Sequence, residues 1–241
     1  MNICIDIGNS FIKVCIFRDD EVVYSSVFTE YGAAEITELF LQFPGIKKGI
    51  VSSVRVRDEK LIKLLQSRLQ KLIILDYQTH VPIKNHYQTP QTLGKDRLAA
   101  VIGANYLYPS KNILVIDAGS AITFDFINSK GEYKGGNISP GLTMRFRSLH
   151  EFTSKLPLLG PEDNTPFLGQ NTKEAITGGV QNSIIFEMDS YIDALKNQYP
   201  DLLTLVTGGD AKFFDNKVKN TIFVVSNLVL IGLNRILNFN A

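Results

Sequence analysis

The sequence predicts an α/β protein in which one folding unit occurs twice. Three observations predict it. Apolar segments in residues 1–107 follow the order β-β-β-α-β-α-β, and from residue 108 the β-β-β-α-β-α order returns. An Asp-x-Gly tripeptide ends the first strand of each half, as Asp6-Ile7-Gly8 and as Asp117-Ala118-Gly119. The chain has 241 residues, 44% hydrophobic and 20% charged, a globular composition long enough for two small α/β domains.

The elements follow in order. Asn2–Ile7 and Ser10–Phe17 are rich in Ile, Val and Phe, and Glu21–Phe28 follows the turn Arg18-Asp19-Asp20, so three strands open the chain. Residues 33–43 carry helical spacing at Ile36, Leu39, Phe40 and Phe43 and stop at Pro44-Gly45. Gly49–Val54 reads as a strand, Asp58–Leu69 as an amphipathic helix, and Leu72–Leu75 as a buried strand. A helix over Asp96–Leu107 closes the first half. In the second half, Asn112–Asp117, Ala121–Asn128 and Tyr133–Ile138 are strands and a helix begins near Leu142. Thr172–Gln198 is a long helix, Leu203–Thr207 and Thr221–Val225 are strands, and Leu228–Phe239 is a closing helix.

Composition excludes several functions. With 25 basic and 24 acidic side chains and no basic block beside aromatic platforms, nothing favours nucleic acid. No apolar run is long enough to span a membrane. The start, Met1 to Asp6, lacks the features of a signal peptide, so a cytoplasmic protein is expected. Cys4 and Cys15 face each other if the first hairpin turns at Asn9-Ser10, and are expected to be buried, reduced thiols. His80, His86 and His150 lack metal-ligand spacing.

Six segments can carry chemistry. In Asp6-Ile7-Gly8-Asn9-Ser10-Phe11-Ile12-Lys13, Gly8 lets phosphate oxygens approach the backbone, whose N–H groups can cradle them together with Asn9 and Ser10. Asp6 can hold Mg²⁺ through water, and Lys13 can reach a phosphate. A plain hairpin explains the segment equally well. Asp117 ends the apolar run Ile113–Ile116, where ligand sites gather in open sheets, and Ser120 stands beside it, whereas Asp125 reads as an outward strand residue. The loop Tyr87-Gln88-Thr89-Pro90-Gln91-Thr92-Leu93-Gly94-Lys95-Asp96-Arg97 runs into a helix. A first-turn Asp96 is held ionised by the helix dipole and can accept a hydroxyl proton, while Arg97 can bind an anion. Otherwise Asp96 is a cap and Arg97 a surface charge. Gly135-Gly136-Asn137-Ile138-Ser139-Pro140-Gly141 is a tight loop before a helix, Thr172 reads as an N-cap, and Thr207-Gly208-Gly209-Asp210-Ala211 suits a nucleoside or a strand-to-helix turn. No Gly-x-x-x-x-Gly-Lys-Ser/Thr loop and no Gly-x-Gly-x-x-Gly motif is present.

The duplicated unit with an acidic hairpin in each copy resembles the actin, sugar-kinase and heat-shock ATPase superfamily. The resemblance implies two ribonuclease-H-like (actin-like ATPase) domains, residues 1–107 and 108–241, each a mixed five-stranded sheet with flanking helices. Motif order from Asp6 to Gly209, above all Tyr-x-x-Pro-x-x-Leu-Gly-x-Asp-Arg at Tyr87–Arg97, is similar to that of type III pantothenate kinases. That likeness implies ATP-dependent phosphorylation of pantothenate to 4′-phosphopantothenate, the entry step to coenzyme A. It implies that Asp6, Ile7, Gly8, Asn9, Ser10, Phe11, Ile12, Lys13 and Ser120 bind ATP, with Mg²⁺ or a similar divalent ion. It implies Asp96 as general base, and Tyr87, Gly94, Lys95, Asp96, Arg97 and Thr172 as pantothenate contacts. Asp117 would bind a monovalent cation, K⁺ or NH4⁺. Thr172 would come from the neighbouring subunit of a homodimer with shared sites. The family usually has Thr where Ser120 stands; the hydroxyl survives. A sugar kinase of the same fold, or a nucleotide-binding regulator without transferase activity, shares part of this pattern.

Overall fold

A computed structural model describes residues 1–29, 33–55 and 58–240. They divide into two compact units. The first holds Met1–Pro109, Gly131–Tyr133 and the segment from Asn227 to the C-terminus; the second holds Ser110–Lys130 and Lys134–Ser226.

The first unit opens with β1 (Asn2–Ile7), β2 (Ile12–Arg18) and β3 (Glu21–Phe28) as an antiparallel meander. After α1 (Ala33–Gln42) come β4 (Lys48–Ser53), α2 (Glu59–Arg68) and β5 (Lys71–Ile74), and β4 pairs in parallel with β1 and with β5. The sheet order is β3-β2-β1-β4-β5. Alternation along β1 sets its two faces. Ile3, Ile5 and Ile7 join Ile36, Leu39, Leu61 and Leu65 of α1 and α2 in one core. Burying a side chain such as Leu65 contributes about 1.5–3 kcal/mol relative to exposure. Asp58 caps α2, its Oδ1 accepting from the N–H groups of Lys60 and Leu61 at 3.0 and 3.1 Å. Cys4 and Cys15 are register partners, buried and free, as expected.

The opposite face of β1 carries Asn2, Cys4 and Asp6. Two helices belong to this side, α3 (Lys95–Leu107) and α7 (Leu228–Phe239). Asn2 Nδ2 donates to Oδ1 of both Asn234 and Asn238 on α7 at 2.8 Å. The two helices touch through their backbones. A Cβ on Gly232 would stand 1.8 Å from the Ala99 carbonyl oxygen, and one on Gly103 2.4 Å from that of Leu228.

The second unit repeats the pattern. It contains β7 (Ile113–Ala118), β8 (Ala121–Ile127) and most of β9 (Glu132–Pro140), then α4 (Leu142–Glu151), α5 (Thr172–Lys196), β10 (Leu203–Thr207), α6 (Ala211–Phe214) and β11 (Phe223–Val224). Its strands run β11-β10-β7-β8-β9, the order of the first sheet, with β7 and β8 antiparallel and β7, β10 and β11 parallel. The core gathers Ile122, Phe124 and Phe126 of β8 with Val180, Ile184 and Met188 of α5. A further strand, β6 (Lys84–Asn85), pairs in parallel with Glu132 and Tyr133 at the start of β9.

Three features depart from the sequence reading. β6, the short α6 and a 3₁₀ turn at Pro90–Thr92 are additional elements. Asp125 does not point to solvent but is fully buried. Gly136 brings β9 so close that a Cβ there would stand 2.6 Å from Asp125 Oδ1. Thr172 is not the N-cap of α5: Asn171 is, its side chain accepting from Glu174 N at 3.0 Å, while Gln170 N donates to Glu174 Oε2 at 2.9 Å. No helix among the described residues is long and apolar enough to cross a membrane.

Candidate active site

The first unit brings most of the singled-out residues together. Asp6 ends the polar face of β1, 7% exposed, opposite Lys13 of β2 and Ser52 of β4. Asp6 Oδ1 and Ser52 Oγ are both buried without a hydrogen-bond partner of good geometry. Burial raises the Asp6 carboxyl from 3.8 to about 6; the nearby Asp96 charge adds to the rise, and the Ser52 hydroxyl and the Lys13 ammonium oppose it. The hairpin that follows is closed by Gly8 N donating to Phe11 O at 2.9 Å. Asn9, Ser10 and Phe11 at its tip are exposed, and Ile7 and Ile12 are buried in its stem. Arg55, which the sequence reading passed over, donates to the Asn9 carbonyl oxygen.

Asp96 lies in the first turn of α3 and is half-buried. It is not the cap; Gly94 occupies that position. Asp96 Oδ1 accepts from Arg97 N at 2.8 Å, and a Cβ on Gly94 would stand 2.6 Å from this oxygen. Gly94 therefore leaves room for the carboxylate. Lys95 Nζ donates to Ser53 O at 3.2 Å, and Ser53 is the register partner of Ile7 at the end of β1.

Arg97 is no surface charge: it is 5% exposed. Its Nη2 donates to the Tyr133 hydroxyl at 3.2 Å, and its Cζ lies 5.6 Å from the centroid of Tyr87. Tyr87 and Tyr133 stack at 6.1 Å with 13° between their planes. The β6–β9 pairing brings them together. Asn85 is the register partner of Tyr133, His86 N donates to Tyr133 O at 3.1 Å, and Tyr87 N donates to Asn85 Oδ1 at 3.0 Å. Sequence reasoning had Tyr133 only as the start of a strand; no local signal ties it to Tyr87, 46 positions earlier.

The second unit holds the other three residues. Asp117 and Ser120 flank the β7–β8 turn, where Gly119 N donates to Ala121 O at 3.1 Å. Two glycine loops press on this hairpin. Gly208, at φ +98°, is a conformation suited to glycine, and a Cβ there would stand 2.3 Å from Ala118 O and 2.5 Å from Asp117 Oδ1. A Cβ on Gly141 would meet the Gly119 and Ser120 carbonyl oxygens at 2.4 Å. Asp210 N donates to Ala118 O at 2.9 Å, and burial raises its carboxyl. Thr172 lies elsewhere in this unit, on the wall of a cavity of about 520 Å³ lined also by Leu149, Leu156, Asn171 and Ile176.

Among the described residues no three His, Cys, Asp or Glu side chains converge on a metal position. A hard cation can still be held by one or two carboxylates with water and phosphate oxygens. The buried, unpartnered Asp6 Oδ1 fits a divalent ion bound that way, and Asp117 beside tight backbone turns offers hard oxygen donors.

Comparison with known proteins gives the family. The family model for type III pantothenate kinase matches residues 2–194. A type III pantothenate kinase of Phocaeicola vulgatus is 46% identical over 240 residues, covering 100% of this chain and 99% of its own length. Among solved structures, a protein assigned to the Baf family of transcriptional activators from Campylobacter jejuni superposes with a TM-score of 0.64 at 24% identity, over 99% of this chain and 98% of its own. A protein assigned as a 2-dehydro-3-deoxygalactonokinase from Sinorhizobium meliloti gives 0.62 at 11% identity, over 98% of both chains. These two likenesses speak for the sugar-kinase type of fold alone, whereas the full-length sequence match speaks for the family: this chain belongs to the type III pantothenate kinases.

Proposed function

We propose that the protein transfers the γ-phosphoryl group of ATP to the primary hydroxyl of pantothenate, giving ADP and 4′-phosphopantothenate, the entry step to coenzyme A. One observation carries the reading. A first-turn carboxylate, Asp96, stands within electrostatic reach of Asp6 at the phosphate hairpin and beside a buried arginine. That is the set the reaction needs: a proton acceptor, a place for the polyphosphate and its metal, and an anion anchor.

In this reading Asp6 to Lys13 bind the ATP phosphates, with the hairpin N–H groups and the Lys13 ammonium facing them. Ser120 contacts the nucleotide. Asp6 holds the divalent ion through water, and the ion offsets phosphate charge. Asp96 orients the hydroxyl and takes its proton as the new P–O bond forms and the bond to the ADP oxygen breaks. Tyr87 and Gly94 to Arg97 bind pantothenate, with Arg97 on its carboxylate. Asp117 binds K⁺ or NH4⁺. The duplicated halves divide near residue 107, and the enzyme works in the cytoplasm.

The protein acts as a homodimer in which Thr172 serves the partner's site. The apolar side chains the second unit leaves exposed support this: Phe152 at 86%, Phe167 and Leu168 at 76% each. Thr172 has its hydroxyl free of capping duty because Asn171 caps α5.

The test is ADP release from ATP and Mg²⁺ with pantothenate or a panel of sugars as acceptor, in K⁺ or in a large organic cation. Turnover with pantothenate alone, and only in K⁺, is expected. Turnover with sugars alone refutes the substrate, and unchanged rates without K⁺ refute the role of Asp117.

A further inference from the structure

We propose that Arg55 is a further binding residue for the ATP polyphosphate: its guanidinium, seated on the tip of the phosphate hairpin, adds a positive charge where the β- and γ-phosphates lie. The inference rests on the reading of Asp6 to Lys13 as the phosphate site and adds a residue from outside that segment.

In sequence, Ser53-Val54-Arg55 is an ordinary exit from β4. In the fold it is fastened to the hairpin. Val54 N donates to Ile7 O at 3.1 Å, which carries the β4 edge along the end of β1. The Ser53 hydroxyl turns the chain, accepting from Arg55 N at 3.1 Å and lying 3.2 Å from Arg55 O. Arg55 Nη2 then donates to the carbonyl oxygen of Asn9, one of the two residues at the hairpin tip. A carbonyl oxygen holds a guanidinium without neutralising it. Arg55 and Asn9 are both exposed, so an anion from solvent can approach the pair. Two further cations border the same hairpin: Lys13 is the register partner of Asp6, and Lys95 Nζ donates to Ser53 O at 3.2 Å. Asp6 and Asp96 stand among them, and in the proposed reading serve the metal ion and the acceptor hydroxyl. The cations are left to the polyphosphate, whose several negative charges call for several positive ones, and a planar guanidinium suits phosphate oxygens.

Arg55→Met removes both the charge and the donor, whereas Arg55→Gln removes the charge and keeps a side-chain N–H group for the Asn9 carbonyl. Binding of AMP, ADP and ATP, each with Mg²⁺, is measured by titration calorimetry for wild type and variants, with melting curves to show that each variant folds. The loss is expected to grow with the number of phosphates. Kd for ATP rises about tenfold, the scale of one charge-assisted contact, Kd for ADP about threefold, and Kd for AMP stays within about twofold, alike in Met and Gln. Arg55→Lys, which keeps the charge, stays within about threefold of wild type for ATP. ATP affinity restored by Gln but not by Met shows that Arg55 only fastens the hairpin, and overturns the proposal. An equal loss for all three nucleotides, a loss in Lys as large as in Met, or unchanged ATP affinity in folded Arg55→Met overturns it too. In each of those cases wild type still prefers ATP to AMP. A wild type that binds AMP, ADP and ATP alike instead overturns the reading of the hairpin as the phosphate site, and the proposal with it.

Discussion

Asp6 and Asp96 are separated by 90 positions in the chain, yet the charge of one raises the pKa of the other. The coupling arises because β1 turns its Asn2-Cys4-Asp6 face toward the side of the sheet that carries α7 and α3, and Asp96 lies in the first turn of α3. Two carboxylates and one lysine thus meet at the end of a buried strand. The arrangement costs stability and suits a site that receives cationic metal and anionic phosphate together.

The cost is measurable. The Asp6 carboxyl titrates near 6 in the folded protein against 3.8 ordinarily, chiefly because it is buried. Well below pH 3.8 it is protonated in both folded and unfolded chains and costs nothing. As pH rises through 6 the folded protein must carry a charge that the unfolded chain solvates better, and stability falls by on the order of 3 kcal/mol. Asp6→Asn is therefore expected to melt higher than wild type at pH 7.5 and alike near pH 3, while losing Mg²⁺-dependent ATP turnover. Melting curves of both proteins across this range are the check; a gap independent of pH contradicts it.

Gly94 is expected to matter for rate more than for folding. Its backbone, at φ −56°, accommodates alanine, but the added methyl would stand 2.6 Å from Asp96 Oδ1. Gly94→Ala should displace the carboxylate and lower kcat about a hundredfold. The melting temperature and KM for ATP should hold. Steady-state kinetics beside a melting curve separates these outcomes.

A composite site predicts rescue between two inactive proteins. Asp96→Asn mixed with Thr172→Ala forms mixed dimers in which one site has both wild-type residues. After subunit exchange at equal amounts, about a quarter of wild-type activity should return. No return means that Thr172 serves its own chain, or none.

Much of this was legible in the sequence, for physical reasons. Strands β1, β7 and β10 are apolar runs ended by Asp-x-Gly or Thr-Gly-Gly, β2 and β8 are the apolar runs that follow the two Asp-x-Gly turns, and both halves adopt the same strand order. Asp6, Asp96 and Arg97 lie in motifs whose residue types suggested the proposed chemistry. What was not legible depends on contacts between distant segments. β6 is two residues long and exists because β9 pairs with it. Arg97 meets the Tyr133 hydroxyl, a contact between residues 36 positions apart that no local pattern announces. The capping of α5 turned on one position: Asn171 and Thr172 are both capping residues, and Glu174 decides for Asn171 through its reciprocal bond to Gln170 N. The apolar pattern of α7 does not say which sheet it covers; the glycine contact with Ala99 and Gly103 of α3 does.

The central claim is that Asp96 takes the acceptor proton beside a phosphate hairpin built on Asp6. Single-turnover formation of 4′-phosphopantothenate by Asp96→Asn, with nucleotide binding followed in the same preparation, tests it most directly. The expected result is a rate at least a hundredfold below wild type with ATP affinity within about threefold. A rate close to wild type with ATP bound would contradict the account.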